Sequence, residues 1–177
     1  VRNSVAATAV ALTVGISILD IKKGLLNFKG VQRRFNKIFT HNDIDFYDDY
    51  AHHPTEIKVV LDGVNKVYKG YDKVCIFQPH RISRLQYLKK EFSFAFNDAD
   101  TVILCPIYTA GEKIKLGFNY LKFAKEIIKN SKVKLFLVND NYQLAKFIKK
   151  NMYGKKIVIG MGAGSIYNWM RKIPELI

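Results

Sequence analysis

From residue 73 onward the chain alternates between short apolar runs and longer segments whose apolar residues recur at helical spacing. Short, continuous apolar runs are typical of strands that are buried on both faces, and each one here precedes an amphipathic segment. The alternation predicts an α/β fold, with a Rossmann-like, doubly wound, mostly parallel sheet and helices on both faces. The predicted strands are 73–78, 101–105, 133–138 and 156–160, and the predicted helices are about 83–96, 118–130, 142–152 and a last one through Trp169.

The amino-terminal residues are rich in Ala, Thr and other small residues. They predict a buried helix from Ser4 to Leu19, because the uncharged run is shorter than the roughly 20 residues that a membrane span requires. Asp20 is expected to cap a second, short helix that ends near Phe28, and Gly30 suits the position after a helix end.

The pattern changes to extended segments after this point. VQRRFNKIF (31–39) and DIDFYDD (43–49) predict two strands around a turn at 40–42. Pro54 suits the first turn of a helix, and the apolar spacing that follows carries this helix to near Gly70.

Three motifs follow directly after predicted strands, and in a parallel sheet ligands bind beyond the carboxyl ends of the strands. These motifs are QPHR (78–81), CPIYTAGE (105–112) and GMGAGS (160–165). The glycines of GMGAGS have the spacing G-x-G-x-G, which is not the dinucleotide fingerprint, and tight packing of the last helix explains them about as well. The chain contains no G-x-x-x-x-G-K-[ST] motif, so nothing in it holds a triphosphate by itself.

The stretch DDYAHHPTE (48–56) concentrates titratable groups between a predicted strand and a predicted helix. A metal site is disfavoured, because the adjacent His52 and His53 point in different directions. Two readings remain: a capped turn without a ligand, or a nucleotide site in which Asp49 accepts from a ribose diol and a histidine lies beside the base.

The net charge of +14 invites an anionic ligand or a nucleic acid. Most of the basic residues are lysines dispersed over the chain, as on solvated helix faces, but four of the arginines form two pairs. Arg33 and Arg34 are one pair, and Arg81 and Arg84 follow His80 as the other, so both places suit a phosphate or a carboxylate. A basic nucleic-acid-binding α/β module remains an alternative, although RNA-type aromatic strand motifs are missing.

Cys75 and Cys105 lie inside predicted strands, and neither belongs to a C-x-x-C pair. They are expected to be buried free thiols in a reducing compartment.

Taken together and in order, the segments NSVAA, GVQRRF, DDYAHHPTE, FQPHRISR, YTAGEK and GMGAGSI resemble the C-terminal part of a Mur ligase. The resemblance covers essentially the whole chain, and the joint pattern is specific. It implies that residues 1–29 are the C-terminal helices of the central ATPase domain and that residues 30–177 are the C-terminal Rossmann-like domain. The P-loop, the magnesium ligands and the UDP-sugar domain are then expected to lie outside this fragment.

The resemblance also implies a role for each motif. Arg33 or Arg34 meets the ATP phosphates, Asp49 binds the ribose, and the QPHRISR segment holds the carboxylate of the incoming amino acid. The implied catalytic residues are Arg33, Arg34, His80, Arg81 and Arg84, and the implied cofactor-binding residues are Asn3, Arg33, Arg34, Asp49, His52 and His53, with no metal ligand in this chain.

The implied activity is that of a cytoplasmic ligase that uses ATP and Mg²⁺ to join L-alanine to UDP-N-acetylmuramic acid through an acyl phosphate, in peptidoglycan precursor synthesis. The expected partners are these small molecules, not a nucleic acid or a membrane, and the isolated fragment is expected to be inactive. Ile82 and Ser83 depart from the usual Tyr-Thr of H-R-Y-T-R, and Ala51 replaces a frequent Gly. The alternative within the family is the muropeptide-recycling ligase, which lacks the Q-P-H-R cluster, so that His80 and Arg81 favour the alanine-adding branch.

Overall fold

The computed structural model describes residues 2–112 and 118–177, and the chain divides into two units, Val1–Gln32 and Arg33–Ile177. The first unit holds α1 (Arg2–Thr13) and α2 (Ile18–Asn27). Ser17, and not Asp20 as expected, is the N-cap of α2, because its hydroxyl accepts from the Asp20 amide at 3.2 Å. The predicted helix to Leu19 is therefore wrong at its end, where Gly15 takes a left-handed conformation (φ 84°) that interrupts it.

Most apolar side chains of the first unit are exposed, which contradicts the expected buried helix. Val5 is 63% exposed and Val10 is 64% exposed, and α2 contains no buried residue. Two helices of 12 and 10 residues offer too little surface to bury each other's apolar faces. Within the described residues, no helix is long and apolar enough to cross a membrane.

In the described part of the second unit six strands form one sheet in the order β1-β2-β6-β3-β4-β5. β1 is antiparallel to β2 and the other pairs are parallel, which confirms the predicted doubly wound sheet. The strands are β1 (Asn36–His41), β2 (Ile44–Asp49), β3 (Asp72–Phe77), β4 (Thr101–Leu104), β5 (Lys134–Leu137) and β6 (Lys156–Met161), and the helices are α3 (Pro54–Val67), α4 (Ile82–Tyr87), α5 (Lys89–Ser93), α6 (Tyr120–Ser131), α7 (Asn141–Asn151) and α8 (Ile166–Leu176).

Two apolar clusters cover the two faces of the sheet. Residues of α3 to α6 pack on one face, which includes Phe77, and residues of α7 and α8 pack on the other, which includes Phe46. Cys75 and Cys105 are buried and free, one in each cluster, as predicted.

The larger differences from the sequence prediction lie at four places in the second unit and just before it, and most other boundaries differ by one to three residues. The predicted helix 83–96 is two short helices, because Leu88 has φ −111° and ψ 25° and leaves the helical region. Residues 31–35 are a turn instead of a strand, since Arg33 (φ 59°) and Phe35 (φ 50°) are left-handed. The hairpin turn lies later than expected, at 42–43. The last helix, α8, continues past Pro174 to Leu176, because its apolar face packs on the sheet.

Candidate functional site

The carboxyl edge of the sheet brings the sequence motifs together. The Arg81 amide donates to the Tyr108 carbonyl at 2.9 Å, and the Tyr108 amide donates to the Pro79 carbonyl at 2.8 Å, so the QPHR and YTAGE segments are paired. Lys113, which ends the YTAGEK segment, lies outside the described residues.

A continuous row of rings joins this pair of segments to the DDYAHHP segment. The rings of Tyr50, His52, His80 and Tyr108 follow one another with centroid distances of 5.2, 5.7 and 5.5 Å. The two motifs to which sequence reasoning assigned different ligands are therefore neighbours on one edge.

Arg33 is held on the α8 face of the sheet. Its Nε lies 3.2 Å from Asp48 Oδ2, and its guanidinium also donates to the Gly162 carbonyl. The guanidinium lies 4.7 Å from the ring centroid of Tyr50 and 4.9 Å from that of Tyr167. These contacts hold the Arg33 guanidinium group in place within the fold.

Asp48 is 1% exposed, and sequence reasoning gave it no role. Burial raises the pKa of its carboxyl, although the Arg33 guanidinium opposes the shift. Its Oδ1 has no hydrogen-bond partner among the described residues. The Arg33–Asp48 pair is thus a buried contact whose acid is incompletely satisfied.

Asp49 is the next residue, and it faces α3 because successive strand side chains point to opposite faces. It is 3% exposed, and its two oxygens accept the amides of Phe35 at 2.9 Å and Ala51 at 2.8 Å. Burial raises the pKa of Asp49, while these two amides and then Arg34 oppose the shift. The carboxylate therefore orders the residue before β1 and the residue two positions after Asp49, beyond the end of β2.

A pocket of about 310 Å³ opens beside Asp49. Arg34 lines it and is exposed, in contrast to Arg33. Its positive charge opposes the rise that burial causes in the pKa of Asp49, and it adds to the lowering of the pKa of Glu56 by the backbone amides of His52 and His53. We call this the Arg34 pocket, and its lining residues are Arg34, Asp49, Thr55, Glu56, Val59 and Val60.

The two histidines of DDYAHHP fix the start of α3. His53 is the N-cap, with its Nδ1 accepting from the Thr55 amide at 3.3 Å, and Glu56 accepts the amides of His52 (3.0 Å) and His53 (3.1 Å). Burial raises the pKa of Glu56, but these amides outweigh it and the net shift is downward. This is a capping box, with Pro54 in the first turn as predicted.

The described residues contain no group of three or more His, Cys, Asp or Glu that could hold a metal ion.

His80 and Arg84 contact each other directly. The Arg84 guanidinium donates to His80 Nδ1 at 3.2 Å and approaches the His80 carbonyl at 3.4 Å. Burial, and then the positive charge of Arg84, lowers the pKa of His80. A neutral imidazole that accepts at Nδ1 follows, with its Nε2–H as a donor.

Arg81 extends from the same place with a half-exposed side chain. Its Nη1 lies 3.9 Å from Glu112 Oε1, and Glu112 also accepts the Ser83 amide at 3.0 Å and the Ser83 hydroxyl at 2.6 Å. Sequence reasoning did not single out Glu112, although its position in the TAGE segment after β4 was a usable signal.

The GMGAGS glycines are required by packing. A Cβ on Gly162 (φ 149°) would lie 2.8 Å from the Gln78 carbonyl oxygen, and one on Gly164 would lie 2.5 Å from Tyr108 Cγ. Gln78 is 2% exposed, and its side-chain oxygen accepts the Ile166 amide at 2.9 Å at the start of α8. The packing interpretation is therefore favoured over a dinucleotide loop.

Asn3 lies on α1 in the first unit, with its side chain exposed. Its contact with a nucleotide remains a prediction.

Sequence comparison places these features in a known context. The family described as "Mur ligase, glutamate ligase domain" matches residues 33–164. The chain is 71% identical over all of its 177 residues to a UDP-N-acetylmuramate–L-alanine ligase of Pelagibacter ubique and 40% identical over 175 residues (99% of the chain) to one of Bartonella tribocorum. It spans 38% and 37% of these proteins' lengths.

Solved structures share the fold. UDP-N-acetylmuramate-alanine ligase MurC from Thermotoga maritima superposes with a TM-score of 0.71 at 27% identity, over 98% of this chain and 36% of that one. A murein peptide ligase from Psychrobacter arcticus superposes with a TM-score of 0.75 at 21% identity, over 98% and 36%. The fold alone therefore does not separate the two kinds of ligase.

Proposed function

The chain belongs to the Mur ligase family, and from that premise we propose that it is the part of an ATP-dependent ligase that helps to bind ATP and L-alanine while L-alanine is joined to UDP-N-acetylmuramic acid. The observation that carries the proposal is that two arginine sites lie on one sheet edge: Arg34 in its pocket, and Arg81 with Arg84 beside His80. The ring row joins them, because the Arg34 guanidinium lies 6.0 Å from the ring centroid of Tyr50, the first ring of that row. The names of the relatives that are 71% and 40% identical support the choice of substrates.

We assign the phosphate contact to Arg34. The guanidinium of Arg33 is already bound to Asp48 and the Gly162 carbonyl and lies over two rings, so moving it to a ligand would leave a buried acid without its partner. Arg34 is exposed and lines a pocket beside Asp49, where a phosphate could accept from its planar guanidinium.

Asp49 is assigned to the ribose through its remaining lone pairs. Each of its oxygens accepts one backbone amide and retains capacity for a second donor, such as a ribose hydroxyl from the pocket side. His52 and His53 then act chiefly by fixing the start of α3 beside that pocket.

The alanine carboxylate is assigned to His80, Arg81 and Arg84, which we call the alanine cluster. Two guanidinium groups and a neutral imidazole N–H suit a small carboxylate. In the proposed reaction the γ-phosphoryl group of ATP passes to the muramoyl carboxylate and ADP leaves. The neutral amino group of alanine then attacks the carbonyl carbon of the acyl phosphate, and the amide forms as the nitrogen loses a proton and inorganic phosphate leaves. The chain's residues act by positioning the two ligands and stabilising charge.

Mg²⁺ would neutralise phosphate charge in this reaction when bound. We assign no Mg²⁺ ligand to the described residues, and the sequence contains no P-loop, so the full enzyme must supply both from elsewhere. We also propose that residues 1–29 belong to the central ATPase domain, that residues 30–177 form the C-terminal domain, and that the enzyme is cytoplasmic.

The test uses the full-length enzyme that contains this chain. Phosphate release is measured with ATP, UDP-N-acetylmuramic acid and either L-alanine or the tripeptide that a recycling ligase adds. We expect turnover with L-alanine only; turnover with the tripeptide alone contradicts the assignment. The 177-residue chain by itself is expected to release no phosphate, and activity of this chain alone contradicts the proposed division of labour.

A further inference from the structure

The TAGE segment folds as a tight turn that directs its last residue back onto α4. Ala110 (φ 52°) and Gly111 (φ 86°) are both left-handed, and the Glu112 amide donates to the Thr109 carbonyl at 3.0 Å. Two consecutive left-handed residues inside such a hydrogen bond define a type I′ turn. The turn fixes where the Glu112 carboxylate lies.

Glu112 replaces the cap that α4 does not supply for itself. Arg81 occupies the N-cap position of α4 and makes no side-chain capping bond within the described residues. The Glu112 oxygens instead accept the Ser83 amide (3.0 Å) and the Ser83 hydroxyl (2.6 Å). Hydrogen bonds from Ser83, above all from its hydroxyl, lower the pKa of Glu112, so its carboxylate remains ionised at neutral pH.

The start of α4 carries the alanine cluster. Arg81 has φ 69°, a strained conformation for a residue with a Cβ, and such strain persists only where the surroundings enforce it. The Tyr108 carbonyl accepts the Arg81 amide, and Glu112 pairs with the Arg81 guanidinium at 3.9 Å. Arg84 lies on the same short helix and contacts His80.

We propose that Glu112 is a positioning residue for the incoming amino acid, which it places without touching it. Both of its oxygens accept hydrogen bonds from Ser83, and its charge lies 3.9 Å from the Arg81 guanidinium without a hydrogen bond to it. Glu112 therefore orients the alanine cluster and leaves the N–H groups of Arg81 to the substrate. This inference rests on the proposed function, since it takes the alanine cluster to be the amino-acid site.

The experiment is steady-state kinetics of the full-length enzyme with Glu112→Ala and Glu112→Gln. Misplacing a binding group by about 1 Å costs up to roughly 100-fold, so we expect Glu112→Ala to raise the KM for L-alanine about 10- to 100-fold and to change the KM for ATP less than about twofold. Glu112→Gln should recover part of the loss, because its amide can accept from the Ser83 amide and donate to the Ser83 hydroxyl while it lacks the charge that faces Arg81.

Two controls make the outcome specific. Glu91→Ala removes an exposed carboxylate from α5 and should leave both KM values unchanged. Ser83→Ala removes one of the partners of Glu112 and should raise the alanine KM less than Glu112→Ala does. If Glu112→Ala fails to fold, the isosteric Glu112→Gln carries the test through its own rise in alanine KM.

An unchanged alanine KM in both Glu112 variants overturns the inference, and so does an equal rise of the ATP and alanine KM values, which would indicate a general structural role. Absence of alanine-dependent turnover in the unmodified enzyme is a separate result, since it would reject the proposed function itself.

Discussion

Replacing Arg33 by Met should reduce the stability of the fold, whereas replacing the adjacent Arg34 by Met should leave stability nearly unchanged and weaken ATP binding. Arg33→Met removes the partner of a carboxylate that is 1% exposed, together with the hydrogen bond to the Gly162 carbonyl. Removing one partner of a buried pair costs about 3–5 kcal/mol. Because Asp48 can take up a proton once Arg33 is absent, and because Arg33 is itself partly exposed, we expect the lower end, about 3 kcal/mol.

The assay is urea unfolding of the 177-residue chain followed by tryptophan fluorescence. The single tryptophan, Trp169, lies on α8 and packs against the cluster on that face, so it reports on the second unit. With a slope of about 2 kcal/mol per M, Arg33→Met should lower the unfolding midpoint by about 1.5 M. Arg34→Met, whose side chain is exposed, should change it by less than about 0.3 M.

The double variant Arg33→Met/Asp48→Leu tests the cause. Replacing both members of a buried pair by apolar groups is often close to neutral, so it should recover most of the lost stability. In the full-length enzyme Arg34→Met should raise the ATP KM much more than Arg33→Met. Equal loss of stability in the two single variants, or a double variant as unstable as Arg33→Met, would refute the reasoning.

Three further predictions follow from the same edge of the sheet. Gly162→Ala should cost about 3 kcal/mol in thermal or urea unfolding, because it combines a left-handed φ with a close contact to the Gln78 carbonyl oxygen. Gly160→Ala should cost less, about 1 kcal/mol, because the atoms nearest to its new Cβ belong to the unbranched Met170 side chain, which can shift. Burial raises the pKa of Asp48, so the folded state binds a proton at this carboxyl more tightly than the unfolded state does. The difference in unfolding free energy between the unmodified chain and Asp48→Asn should therefore fall as the pH rises above about 4, and a difference that does not depend on pH would contradict this. In full-length kinetics Asp49→Ala should mainly raise the KM for ATP and Arg84→Ala that for L-alanine, and exchanged phenotypes would reverse our assignment.

Periodicity was sufficient for β3 to β6, because these strands are short apolar runs, and the rules for parallel connections fix which strand ends meet. It failed where long-range contacts override local preference. Arg33 and Phe35 read as extended, but their left-handed conformations are maintained by contacts with Asp48, Gly162 and Asp49, which are distant in sequence. The sequence of 31–35 contains no glycine that would indicate such a turn.

The sequence predicted where the candidate site lies better than it predicted what each of its residues does. The position of His80 and Arg84 at a strand end was evident from the sequence, and the structure brings their side chains together as expected. The difference between Arg33 and Arg34 could not be seen, because it depends on which face each side chain reaches. Glu112 was overlooked because its partner Ser83 is 29 residues away and joins it only when β3 and β4 are adjacent.

Asp48 and Asp49 point to opposite faces of the sheet, so the site at this edge depends on whether an insertion in β2 adds an odd or an even number of residues. A single-residue insertion within β2 would exchange the two acids, so that the carboxylate beside the Arg34 pocket would lie under α8 and the partner of Arg33 would face α3. An insertion of two residues would restore both faces and would only lengthen the strand. We therefore expect length variants of β2 in working enzymes to differ by even numbers of residues, and odd changes to be accompanied by a bulge that restores the alternation.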